Sequence, residues 1–148
     1  MTTKHEAIVG ALHALLVGSL AVTVLRDVEL PEECPDAGIA NLAPEAPREI
    51  GRRLGTGVRE IQRSCGLEVV VTGPSDIIRI QRLEAVLEAL GLVLVPQCLE
   101  QNGVDYVDLG PPEDTEVIPM RGSESLRGAV IRIDLFYETT SNVMETAQ

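Results

Sequence analysis

Val58-Arg-Glu-Ile61-Gln-Arg-Ser-Cys65-Gly-Leu67-Glu-Val69-Val-Val71 runs into Thr72-Gly-Pro-Ser75 and then into the stretch from Asp76 to Leu90. Ile61, Cys65, Leu67, Val69 and Val71 occupy odd positions, and Glu60, Gln62, Ser64 and Glu68 alternate with them. A period of two predicts a strand with one face buried. Gly73-Pro74 stops it, and the Ser75 hydroxyl can accept from the first free N–H groups of a following helix. Ile77, Ile80, Leu83, Leu87, Leu90 and Leu94 then recur at steps of three and four, which predicts one apolar helical stripe. A long strand feeding an amphipathic helix is the central unit of an α/β layer.

Elements of the same kind lie on both sides. Thr2 to Gly18 predicts a first helix, with Thr2 or Thr3 as its cap and Glu6 in the first turn, where the helix dipole favours an acid. Val22 to Arg26 and Ile39 to Leu42 predict short strands, separated by the loop Leu30 to Gly38 with its two prolines. Beyond the central helix, Val104 to Leu109 predicts a strand and Glu113 to Ser125 an acidic connection. In the last strand, Arg127 to Glu138, Ala129, Ile131, Ile133, Leu135 and Tyr137 share one face; Arg132, Asp134 and Glu138 share the other. The chain from 139 to 148 reads as polar and frayed. The expected fold is α/β (α+β): one domain over residues 1–148, a mixed, largely antiparallel sheet of about five strands, and two helices on one face.

The segment from Pro44 to Gly57 fits neither period. Pro44, Pro47, Gly51, Gly55 and Gly57 punctuate it, and Arg48, Arg52 and Arg53 make it locally positive, with Arg59 just beyond. It reads as a mobile loop or an extended hairpin arm. A positive loop on an acidic protein suits docking to an acidic partner. The formal charge is −11, from 23 acidic and 12 basic residues, so the basic footprint of a nucleic-acid binder is absent. With only Tyr106, Phe136 and Tyr137 as aromatics, stacking platforms for single-stranded bases are also missing.

Catalytic motifs are equally scarce. His5 and His13 lie on the first helix with no thiol or hydroxyl constellation around them. Cys34, Cys65 and Cys98 form no metal spacing and no disulfide framework, which fits a reducing compartment, and Cys65 belongs on the apolar face of the strand. Gly55-Thr-Gly57 is too short for a phosphate loop. Glu32-Glu33 and Glu113-Asp114 lack the spacing of a calcium loop and read as solvated acidic turns. No cofactor and no metal is expected, and no enzyme. Ala7 to Leu25 is long enough to raise a membrane helix. Gly18-Ser19 divides it, however, into a helical half and a β-branched half, so insertion is not expected.

One set of residues resembles a known family. It comprises the amphipathic first helix, Val24-Leu-Arg26-Asp, Leu30-Pro31-Glu32, Gly38-Ile, and Leu67-Glu-Val-Val-Val-Thr-Gly73 leading into a helix. Val104-Asp-Tyr-Val107, Pro111-Pro112-Glu113-Asp114, and the closing Val130 to Tyr137 strand with Thr139-Thr140 complete it. In this order they look like the tail terminator proteins of long-tailed bacteriophages and gene transfer particles, the lambda minor tail protein U-like group. The Pro44 to Gly57 segment carries more arginine and less acid than that family leads one to expect. The resemblance implies a virion protein at the tail–head junction, assembled in the host cytoplasm. A homo-hexameric ring would cap the tail tube protein and meet the head connector, with DNA passing through its lumen without specific binding. On this reading Arg48, Arg52, Arg53 and Arg59 would contact the tube or the next subunit, and Glu32, Glu33, Glu113 and Asp114 would face the lumen or connector. Two alternatives remain at this point: another ring of the head–tail neck, and a small cytoplasmic ligand-binding regulatory domain.

Overall fold

The computed structural model describes residues 3–27, 38–115 and 127–140, side chains excepted at 114 and 115. Helix α1 (Lys4–Ser19) is followed by strands β1 (Thr23–Arg26), β2 (Ile39–Pro44), β3 (Arg48–Arg52) and β4 (Arg59–Val71). Helix α2 (Asp76–Val93) comes next, then a 3₁₀ turn (Glu100–Asn102), β5 (Val104–Leu109), β6 (Glu113–Thr115) and β7 (Arg127–Thr139). The fold is α+β with one mixed, mostly antiparallel sheet.

The sheet is built around β4 and β7, which pair antiparallel from Arg59↔Thr139 to Val71↔Arg127. Its path is β1-β2-β4-β7-β5, with β1 parallel to β2 and every other pair antiparallel. Two strands extend this path without widening it: β3 joins β4 beside β2, and β6 joins β7 beside β5. Five columns thus hold seven strands.

Alternation along β4 and β7 fixes the faces. Ile61, Cys65, Leu67, Val69 and Val71 face the same side as their partners Ala129, Ile131, Ile133 and Tyr137, and all are at most 5% exposed. Helices α1 and α2 pack on that side, contributing Ile8, Val9, Leu12 and Leu16 from one and Leu83, Val86 and Leu90 from the other. Each helix starts at a side-chain cap: Glu6 N–H donates to Thr3 Oγ1 (3.2 Å) and Ile78 N–H to Ser75 Oγ (3.4 Å).

Three expectations are corrected. The buried stripe of α2 runs Arg79, Leu83, Val86 and Leu90, while Ile77 is 68% exposed. Arg79 takes the inward position because its guanidinium folds back to the Gly73 carbonyl (2.7 Å) and to Asp76, so its stem packs while its charge stays paired. The acidic connection after Pro112 is not wholly irregular either. Glu113–Thr115 adds to β7, whose ladder would otherwise be open beyond β5. Finally, Thr139 is no frayed residue: it ends β7 opposite Arg59 and is 2% exposed. Residues 141–148 lie outside the described residues. Among the described residues, no helix is long and apolar enough to cross a membrane.

Candidate assembly surfaces

The segment rich in arginine is an ordered ribbon. β3 pairs with the first residues of β4 from Arg48↔Gln62 to Arg52↔Arg59, with a bulge between Glu49 and Gly51. Its turn is closed by Arg53 N–H to the Val58 carbonyl (2.9 Å) and by Thr56, whose hydroxyl donates to the Arg53 carbonyl (3.2 Å). Gly55 and Gly57 sit at φ +78° and +72°, which only glycine adopts without strain, and so let the ribbon reverse. Leu54 stands at the tip with 97% of its surface exposed, and Ile50, at the bulge of β3, is 46% exposed.

Each arginine of the ribbon is oriented by a neighbour. Arg48 donates to Gln62 Oε1 (2.7 Å) and Arg53 pairs with Glu138 (2.5 Å). Arg52 bonds Glu49 and holds that carboxyl below its ordinary range; Arg59 approaches the same carboxyl at 4.0 Å. Exposed pairs of this kind contribute little stability, so the guanidiniums are held in place but remain open to a partner.

At the other side of the sheet the charge reverses. Asp105 and Asp108 on β5 and Glu113 on β6 are exposed, and none of them forms an ion pair among the described residues. Asp114 follows on β6 opposite Ala129. Glu32 and Glu33 lie outside the described residues. The structure therefore separates the two sets of predicted site residues, placing Arg48, Arg52 and Arg53 on one margin of the sheet and Glu113 and Asp114 on the other.

Between these margins lies the face without helices. Tyr106 and Phe136 pack there with ring centroids 6.0 Å apart, and Tyr106 is 46% exposed. Ser64 donates to Asp134 (2.5 Å), while Arg132 reaches both Asp134 (3.1 Å) and the Ser64 hydroxyl (2.8 Å). Burial raises the Asp134 carboxyl, but hydrogen bonds from Ser64, Arg132 and Gln62 together outweigh it and hold the group below the usual carboxylate range. A depressed folded value means that the unfolded chain takes up the proton first. The stabilisation is therefore present above about pH 4 and is lost as pH falls through the folded value. Asp134→Asn should flatten the decline of urea-unfolding stability between about pH 5 and pH 2. An acid limb as steep as that of the parent would count against this assignment.

Two further reactive side chains, Cys65 and His5, are buried. Cys65 is 1% exposed, and burial pushes its thiol up to about 11, so it stays protonated and inert. His5 Nδ1 lies 2.6 Å from the Tyr137 hydroxyl, both buried, which ties α1 to β7. Among the described residues no three His, Cys, Asp or Glu side chains gather where they could hold a metal ion. A groove of about 480 Å³ lies between the end of α1 and α2, lined by Ser19, Ala21, Val22, Arg82, Ala85, Val86 and Ala89. Its one charged group, Arg82, is engaged with the Thr72 carbonyl (2.8 Å).

No protein-family model and no curated protein matches the chain.

Sequence reasoning named the arginines but missed their most exposed companion, Leu54. Its signal was present, since an isolated leucine between Arg53 and Gly55 belongs to neither period. The Tyr106–Phe136 pair was not legible, because it depends on the register of β5 against β7 and on the shift between Val104 and Tyr106.

Proposed function

We propose that the chain is a non-enzymatic virion protein, a tail terminator whose ring caps the tail tube and joins it to the head connector. The observation that carries the reading is the β3–β4 ribbon. It is an ordered arm that exposes a whole leucine side chain at its tip, between guanidiniums already oriented by acids. Apolar anchors flanked by arginine are the composition of protein–protein contacts. The sheet face opposite the two helices, with its aromatic pair, supplies a second contact area. The overall acidity supports the passage of DNA through a lumen, since acidic walls repel phosphate and give it nowhere to stick.

The groove beside α2 is what would favour a ligand-binding domain. Small aliphatic residues line it, with few convergent polar groups to orient a ligand. The ring reading therefore stands ahead of it.

The test is tube assembly in vitro. Purified tail tube protein polymerised with this chain should give tubes that stop growing and carry a ring at one end under the electron microscope. Leu54→Asp should leave the fold intact and abolish capping. Tubes that elongate equally with and without the parent chain would overturn the proposal.

A further inference from the structure

The two margins of the sheet carry opposite charges, and the register joins them. Arg48 is paired with Gln62, Gln62 with Phe136, and Phe136 with Tyr106. The β3 margin is thus three strand spacings, about 14 Å, from the β5 margin on the same sheet. From Arg48 to Glu60 there are four arginines and two glutamates; from Glu100 to Asp114 there are five acidic residues and no basic one. On the β5 side, Glu100, Asp105, Asp108 and Glu113 are exposed.

We infer that copies of this chain associate side by side, the β3 margin of one subunit against the β5 margin of the next. The inference deepens the ring reading above and rests on it for its cellular context. Like-charged margins repel, so contacts of β3 with β3 or of β5 with β5 are disfavoured, and only the head-to-tail pairing joins opposite charges. A head-to-tail contact uses two different surfaces and so leaves each new subunit with one of each. Repeated with a rotation that divides the full circle, it closes a ring; with any other rotation it runs on as a helical filament.

The contact is made by side chains and not by continuing the backbone ladder. The N–H groups of Val104 and Val107 are already spent on the carbonyls of Leu99 and Pro96. Leu54 at the ribbon tip and Tyr106 on the neighbouring subunit supply the apolar part of the interface, and the guanidiniums of Arg48 and Arg52 meet Asp105 and Asp108. Arg53 stays with Glu138 of its own chain and fixes the arm in its projecting position.

The experiment uses the full chain and two exposed charge-reversal pairs, Arg48→Glu with Arg52→Glu, and Asp105→Lys with Asp108→Lys. Circular dichroism confirms that each variant folds, and sedimentation velocity and native mass spectrometry read the assembly at low and high salt. The parent should form a salt-sensitive oligomer, and each variant alone should associate roughly a hundredfold more weakly. Mixing the two variants should restore assembly in an alternating order, because the reversed β3 margin of one then meets the reversed β5 margin of the other. An oligomer that both reversals leave unchanged overturns the inference, although a ring built by another surface could still cap tubes. A monomeric parent whose mixed variants also stay monomeric overturns it too. Charge-dependent oligomers that fail to stop tube growth would uphold the inference and sink the tail-end reading instead.

Discussion

Leu67→Ala should lower the unfolding free energy by about 2–5 kcal/mol, the range for emptying a leucine-sized site in a packed core. Leu67 is fully buried and lies between Leu42 of β2 and Ile131 of β7 in the middle of the sheet, on the face that carries the helices. Strands on either side are fixed by their ladders, so the surroundings cannot collapse into the void. Against a typical total stability of about 5–15 kcal/mol, the loss is a large fraction. The melting temperature should fall by roughly 10 °C. Glu68→Ala, one residue along and on the face without helices, should change stability by less than about 1 kcal/mol. Equal effects at the two positions would mean that the assignment of faces is wrong.

Gly38→Ala should be as damaging, by a different route. Gly38 has φ +121°, and a Cβ placed there would sit 2.6 Å from the Val70 carbonyl oxygen, 3.2 Å from Val71 Cα and 3.3 Å from Val22 Cγ1. Two of those three atoms are backbone of β4, the central strand, and cannot give way. Backbone strain and overpacking together should cost about 3 kcal/mol or more. Gly66→Ala is the contrast: a Cβ there meets only the Ala43 carbonyl, at 3.9 Å. That substitution should be neutral or slightly stabilising, because alanine restricts the unfolded chain. Urea midpoints for the two variants decide the matter. A Gly38→Ala protein within about 1 kcal/mol of its parent would falsify the close approach.

What the sequence disclosed follows from where the chemistry is local. The alternation from Ile61 to Val71, interrupted at Arg63 and Val70, and from Ala129 to Tyr137 gave both central strands and their buried faces, since one inward row demands apolar side chains and the other does not. Caps were equally legible, because Thr3 and Ser75 act on backbone three residues away. The stripe of α2 was misread for a reason that composition hides. Ile77 looks like core, yet the inward place two residues on belongs to Arg79, whose charge is met by a carbonyl and a carboxylate close in sequence. β3 was legible only as one of two alternatives, a hairpin arm beside a mobile loop, and β6 not at all, because neither has a period of its own. Each is a strand only because β4 or β7 runs past its longer neighbour and offers unpaired backbone. The candidate surfaces divide along the same line. Arginines can be counted in a sequence, but opposite margins, a tip leucine and the Tyr106–Phe136 contact depend on which strands become neighbours.

The ladder between β4 and β7 also governs when the protein can come into being. Its partners are residues 59–71 and 127–139, so the longest pairing in the sheet joins the middle of the chain to its last described strand. Until that strand has left the ribosome, β4 lacks its main neighbour, β5 and β6 have nothing to join, and the two helices have no complete floor to cover. Contacts so distant in sequence form slowly and late. The nascent chain therefore emerges with its aliphatic core still wet and in need of protection from aggregation.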